Sequence, residues 1–309
     1  MFSVIIPLYN KEKFIERTLG SVFSQTYRNF EVIIVNDGST DDGVSVIEKL
    51  EYDQLTLVHQ KNAGVSAARN HGARIARFPY LVFLDGDDTW EVDFLEELSL
   101  LIEEFPSCGI YGTNNYFIYP NGKKIVEDYS YLFEGKPTGI IEDYFGVFAQ
   151  FQKSPFSNSN ICIPAKVYHE LGGYRLGVKL TEDSDLWCRI ALQYPVAFTN
   201  KPLATYFLGL EGSTHTILEE KEYQVSITLR EALERGKVPS SLIGSVVRLI
   251  AFQKLALIKR ALLTGNKRIA FKNVFSLPVL KYYPIELLKC FLSLLVPNFV
   301  FNRLRSLTR

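Results

Sequence analysis

The 309 residues are 47% hydrophobic and 22% charged, enough apolar side chain for a full-sized core and the wrong balance for a disordered chain. Formal charge cancels overall, but residues 1–220 carry 18 Lys and Arg against 30 Asp and Glu, and residues 221–309 carry 16 against 4, so a front of −12 meets a tail of +12. That tail suits an anionic partner. Its four cysteines, Cys108, Cys162, Cys188 and Cys290, are scattered with no C-x-x-C pair, which excludes a zinc ribbon or disulfide framework and fits a reducing compartment.

The opening "MFSVIIPLYNKEK" lacks the basic region of a signal peptide and reads as a first strand, "SVIIP" (3–7). Further strands are predicted at "FEVIIVN" (30–36), "LTLVH" (55–59) and "YLVFLD" (80–85), rich in β-branched residues and expected to be buried on both faces. Helical spacing fills the gaps, through Phe14–Phe23, then Val44, Ile47 and Leu50, then Ala67–Ala76. Strand alternating with helix predicts an α/β fold on a mostly parallel sheet, whose ligand lies outside the carboxyl ends of the strands. Beyond residue 105 the pattern loosens: a Pro-Asn-Gly hairpin at 119–126, a strand "SNICIP" (159–164), a helix stopped by "LGGY" (171–174), a helix over 182–195, and a strand "LATYFL" (203–208). From about residue 219 the period is helical throughout, so the boundary is placed there, with a nucleotide-binding half over about 1–110, an acceptor half over about 111–218 and a helical region over 219–309.

Polar clusters sit at the expected strand ends: "PLYN", "NDGSTDDG", "QKNAGVSAARN" and "DGDD". In extended backbone Asp85 and Asp87 point the same way and can offer two carboxylates to one hard cation, Mg2+ or Mn2+, with Gly86 allowing close approach. Strand termination explains them as well. Asp88 has capping-box spacing to Glu91 and is read as a helix cap. Asp37 either accepts the imide N–H of a pyrimidine or forms an Asx turn. "NAGVSAARN" either leaves helix-initial N–H groups free for phosphate, with Arg69 as a fixed cation, or packs closely through small residues. In "TEDSDLW", Glu182, Asp183 and Asp185 all favour the first turn of a helix, the last of them having no other role, and Trp187 is read as core.

Taken in order, "VIIPLYN", "EVIIVNDGSTD", "NAGVSAARNHG", "YLVFLDGDDTW", "ELGGY" and "TEDSDLW" resemble the family 2 glycosyltransferases, over roughly residues 3–190. The resemblance implies a GT-A fold, a Rossmann-like mixed sheet flanked by helices, and inverting transfer of a hexosyl or N-acetylhexosaminyl group from a nucleotide sugar, UDP-linked, to a saccharide or lipid-linked glycan of a bacterial surface polysaccharide. By it, Pro7, Tyr9, Asn10, Asp37, Gly64, Arg69 and Asp85 are the nucleotide-binding set, Asp85 and Asp87 form a D-x-D motif on ribose and metal, Asp183 is the catalytic base and Glu182 orients beside it. A polar loop with Ser213, Thr214 and His215 would then cover the diphosphate. Two rivals stand against it. A sugar-phosphate nucleotidyltransferase wants a Gly-rich, basic loop after the first strand, which "PLYNKEK" does not supply; a non-catalytic nucleotide-sugar sensor or scaffold has no need of Asp87 and Asp183 together.

The tail combines apolar faces with Arg248, Lys254, Lys259, Arg260, Lys267 and Arg268, and the uncharged run 290–302 is interrupted by Pro297 and falls short of the ~20 residues a spanning helix needs. A basic amphipathic region of this kind can lie in a headgroup plane, or pack on the core or on another subunit. The expectation is a cytoplasmic protein, peripheral at the inner face of the cytoplasmic membrane, that binds no nucleic acid, since aliphatic faces are not stacking platforms.

Overall fold

A computed structural model of the chain describes residues 1–178, 180–210 and 222–295. The chain divides into two compact units, residues 1–144 with 155–215, and residues 145–154 with 216–309. The first begins with β1 (Phe2–Leu8), α1 (Ile15–Phe23), β2 (Phe30–Asn36), α2 (Gly43–Glu48), β3 (Leu55–His59), α3 (Val65–Ile75) and β4 (Tyr80–Phe83). Their sheet order is β3-β2-β1-β4, and every pairing in it is parallel. Val, Ile and Phe fill β1 and β2, both buried along their whole length, as strands covered by helices on each face must be. β3 departs from that expectation: it is only half-buried, because it forms the edge and has a neighbour on one side alone.

Register sets up the site. Leu8 pairs with Asn36, and Asn36 with His59, so the loops after β1, β2 and β3 leave the sheet side by side at its carboxyl edge.

The sheet continues through β5 (Thr89–Trp90), β6 (Ile110–Ile118), β7 (Lys124–Val126), β8 (Thr138–Ile140), β9 (Ile161–Pro164) and β10 (Val196–Phe207), with α4 (Phe94–Glu104), α5 (Tyr144–Phe151), α6 (Ala165–Glu170) and α7 (Glu182–Ala191) between them. The order runs on as β4-β9-β6-β10-β5. Here it is mixed: β9 is antiparallel to both β4 and β6, while β6 and β10 run parallel. β6 is an interior strand that sequence patterning passed over, since Thr113, Asn114 and Asn115 break its apolar run. Most of these buried polar groups are partnered: Asn114 Nδ2 donates to the Glu127 carbonyl at 2.6 Å and Asn160 Nδ2 to the Thr113 carbonyl at 2.6 Å, while Asn115 Nδ2 has no partner among the described residues.

The second unit contains all of α5 but its first residue, together with α8 (Gln224–Glu234), α9 (Ile243–Leu263), α10 (Lys267–Val274), α11 (Leu277–Tyr282) and α12 (Pro284–Leu295). Among the described residues, the segment Ser240–Leu263 alone is long and apolar enough to cross a membrane by length and composition. Yet α9 buries Ala251, Leu255, Ile258 and Ala261 against Ala270, Val274, Val279 and Leu287 of the following helices, which accounts for its apolar content as the core of a helical unit.

Helix α3 crosses the sheet at a glycine for want of space. A Cβ at Gly72 would stand 2.5 Å from Ile5 Cγ2 of β1. Gly to Ala in a helix ordinarily stabilises by about 1 kcal/mol. Here overpacking, costing typically ~1–3 kcal/mol, should win. Gly72→Ala is expected to lower the urea midpoint of unfolding; a raised midpoint would show that Ile5 gives way freely.

Candidate active site

The loops at the carboxyl edge are braced to one another. After β2, the Asn36 side chain makes the turn, its Oδ1 accepting the Ser39 N–H at 2.8 Å. The Asx turn considered for Asp37 therefore belongs to its neighbour, and Asp37 does something longer-ranged. Buried at 3% exposure, its Oδ1 accepts from Gln60 Nε2 and the Ala63 N–H, each at 2.8 Å, and its Oδ2 from the Gly64 N–H at 2.9 Å. With about four acceptor positions on a carboxylate, one on Oδ2 is not filled from the described residues. Asp37 thereby holds the two N–H groups just ahead of α3. Gly64 takes φ 90°, open to glycine, with nothing within 4 Å of where a Cβ would stand. Asn10, at φ 53°, ties the first loop to the second by accepting the Thr40 N–H at 2.8 Å. Tyr9 beside it is 48% exposed, and Pro7 is buried in β1 with its carbonyl against Gly86.

Strand β4 ends at Phe83, and residues 85–88 form a turn closed by the Asp88 N–H on the Asp85 carbonyl at 3.1 Å. The extended geometry expected to align Asp85 with Asp87 is thus absent. In its place each carboxylate has its own cation: Arg69 Nη2 donates to Asp85 Oδ1 at 2.6 Å, and Lys11 Nζ to Asp87 Oδ2 at 2.6 Å. Asp88 is not a helix cap, since α4 starts only at Phe94, after Asp93. It is 1% exposed and anchors the turn, its Oδ2 accepting from Ser159 Oγ at 2.5 Å and its Oδ1 from the Phe207 N–H at 3.2 Å. Burial first, then the charges of Asp85 and Asp87, push its carboxyl well above the usual range. Ser159 also receives the Asp85 N–H at 3.2 Å, a role no local signal in "SNSNICIP" announced.

Helix α7 begins after Thr181, whose φ of 62° is unusual for a β-branched residue and whose buried hydroxyl has no partner. Strain of this sort, ~1–3 kcal/mol, gathers at functional sites. Glu182 Oε1 accepts from Arg69 Nη1 at 3.2 Å. Asp183 Oδ1 accepts the Ser184 N–H at 2.5 Å, and the Ser184 side chain hydrogen-bonds the same carboxylate. Asp185 turns the opposite way: fully buried, it pairs with Arg189 Nε at 2.9 Å, and Arg189 also donates to the Leu171 and Gly173 carbonyls of the turn that ends α6. It is a structural ion pair, more than the helix-terminal charge expected. Trp187, 1% exposed, is core as expected.

Arg69, on α3 and 2% exposed, therefore links the Asp85 turn to the start of α7, with the Tyr174 ring 5.2 Å from its guanidinium and its Nε unpartnered. Burial disfavours its charge, but Asp85, Tyr174 and Glu182 together hold its pKa above the ordinary value. Glu182 is pushed up to about 7, by burial first and by Asp183 next, with Arg69 pulling against them. Asp183 is raised too, again by burial, with Asp85 adding to it. Tyr206 of β10, which the sequence did not single out, lies in the field of Asp85, Asp88, Asp87 and Asp183. His215, Ser213 and Thr214 lie outside the described residues.

No group of three His, Cys, Asp or Glu side chains suited to a metal occurs among the described residues. Asp85 and Asp87, with side chains 25% and 17% exposed, are the available oxygen donors at the rim. That is a fit for Mg2+ or Mn2+, which bind through one or two carboxylates and take their remaining oxygens from water and phosphate.

A mixed sheet of this order, with acids and loops gathered at the ends of its parallel strands, defines a GT-A nucleotide-sugar fold. Residues 3–159 match the model of Glycosyl transferase family 2, and the chain belongs to that family. It is 31% identical over 228 residues to an uncharacterised glycosyltransferase of Rickettsia conorii, covering 73% of this chain and 35% of that protein. It is 32% identical over 228 residues to the glycosyltransferase GlyA of Streptococcus pneumoniae serotype 4, covering 71% of this chain and 32% of that one. The chain thus spans about a third of the length of these curated relatives. Among solved structures, S. aureus TarS 1–349 in complex with UDP-GlcNAc superposes with a TM-score of 0.64 at 19% identity, over 88% of each chain, and its UDP complex gives 0.61. That likeness establishes the fold.

The raised Glu182 carboxyl has a consequence for stability. With a folded value of about 7 above an unfolded value of 4.5, the folded state holds its proton more tightly, so this contribution is complete below about 4.5 and is lost as pH rises through about 7. The urea midpoint should fall between pH 5 and pH 8 ~, and Glu182→Gln should flatten that fall. An unchanged slope in the variant would place the titration elsewhere.

Proposed function

We propose that this chain transfers a sugar from a uridine-linked nucleotide sugar to a hydroxyl of a saccharide or lipid-linked glycan, with inversion at the anomeric carbon, in the assembly of a bacterial surface polysaccharide on the cytoplasmic side of the membrane. The observation that carries this reading is the double engagement of Arg69, which brings Asp85 of the donor-side turn and Glu182, next to Asp183, onto a single guanidinium. Leaving-group machinery and a base are what such a displacement needs, and it needs no covalent nucleophile. The names of the relatives agree, and TarS, crystallised with UDP and with UDP-GlcNAc, supports uridine as the carrier.

In this reading the free acceptor position on Asp37 Oδ2 takes the imide N–H of uracil, Tyr9 offers an exposed ring to the base, and Pro7, Asn10 and Gly64 shape the loops around the nucleoside. Asp85 and Asp87 would hold Mg2+ or Mn2+, which when bound supplies positive charge for the departing diphosphate. Lys11 and Arg69 already pair with those carboxylates. Asp183 receives the acceptor hydroxyl's proton, and its burial-raised pKa suits it to hold that proton. Glu182, held by Arg69, positions the turn from which Asp183 projects.

Asp183→Asn should lower sugar transfer by about 10² or more while leaving UDP affinity unchanged, with UDP release read by a coupled assay and affinity by calorimetry. Retained transfer would remove Asp183 from the base role. Chelator should abolish transfer in the parent protein and added Mn2+ restore it.

A further inference from the structure

We propose that the outer face of α10, α11 and α12 is a docking surface for an anionic lipid bilayer. This deepens the membrane-side placement in the functional reading above and rests on it only for biological context. The other face of these helices is committed: Val274, Val279, Leu287 and Cys290 are buried in the core of the second unit. What faces outward is apolar to an extent that a soluble surface does not need. Phe275 is 67% exposed, Leu277 78%, Ile285 64% and Leu288 57%.

Part of this exposed apolar surface is contiguous. The rings of Phe271 and Phe275 lie 5.4 Å apart, and those of Phe275 and Phe291 6.3 Å, so the aromatic cluster runs from α10 onto α12. On α12 it joins Ile285, Leu288 and Leu292, spaced i, i+3 and i+7 on one stripe. Contiguous apolar exposure marks an interaction site, where scattered single residues would not.

Charge selects the partner. Residues 267–295 hold Lys267, Arg268, Lys272, Lys281 and Lys289 against Glu286 alone, a balance of +4. Two copies brought together through this face would oppose +4 with +4, which disfavours self-association. An anionic headgroup layer satisfies both halves of the surface at once: aromatic and aliphatic side chains enter the acyl boundary, while lysines remain at headgroup level. Each Lys or Arg near such a surface adds roughly 1 kcal/mol.

The test is co-sedimentation of the full chain with phosphatidylcholine vesicles, with and without phosphatidylglycerol. Binding should be at least about tenfold stronger to the anionic vesicles and should weaken with added salt. Phe275→Asp combined with Leu288→Asp should reduce it about tenfold or more. Both positions are exposed, so the thermal unfolding midpoint and UDP release should not change. Lys272→Glu with Lys281→Glu should remove the preference for anionic lipid. Equal binding to both vesicle types, no binding, or an unaffected aspartate variant would overturn the proposal. So would a concentration-dependent dimer that the aspartate variant dissolves, which would make a second copy the occupant. Asp183→Asn protein should sediment with vesicles like the parent, so that loss of transfer and loss of membrane binding are read separately.

Discussion

The structure of the site turns on one buried cation. A guanidinium removed from water is tolerable only where its charge is matched and its N–H groups are used, because an uncompensated buried charge costs several kcal/mol. Arg69 meets the charge condition with Asp85 on one side, Glu182 on the other and Tyr174 against its face, both Nη groups donating while its Nε lacks a partner among the described residues. Asp85 is distant in sequence from Tyr174 and Glu182, so satisfying one side chain fixes the distance between the turn after β4 and the start of α7. It also sets the local electrostatics: Glu182 and Asp183 keep raised pKa values beside it because their burial outweighs the attraction it exerts.

Around that cation, the parallel half of the sheet acts as a frame. Registered strand ends deliver three loops to one edge, and the loops are stitched by side chains with little freedom left: Asp37 on the Gly64 loop, Asn10 on Thr40, Asp88 on Ser159 and Phe207. Preorganisation of this kind holds the oxygens of Asp37 and Asp183 in place. Those are the atoms the proposed chemistry uses. The second unit owes its order to a core of its own along α9.

Strands with uniform β-branched content could be read directly: β2 and β3 fall on the predicted residues, and β1 within one or two of them. The GT-A order followed from alternation and from the motif series. Less was legible where polar residues are buried. β6 was hidden because Asn114 and Asn115 find partners only in the folded chain, on segments more than ten residues away or across the sheet. Asp88 and Asp185 looked like helix-end charges, and local spacing supported that; what decides their role is Ser159, Phe207 and Arg189, which spacing cannot reveal. Asp85 and Asp87 were found by motif, but for a reason the turn at 85–88 does not obey. Arg69 was singled out as a cation for phosphate; its link to Glu182 spans 113 positions and leaves no trace in the sequence.

The most direct test of Arg69 as the joint between donor and acceptor sides is a double-mutant cycle on its two carboxylate partners. Asp85→Asn and Glu182→Gln, alone and together, would be compared through kcat/KM for sugar transfer. Because both act on one guanidinium, the account predicts a coupling energy of about 0.5–3 kcal/mol. Additivity within about 0.5 kcal/mol would mean that the two sides of the site work independently, and would contradict it.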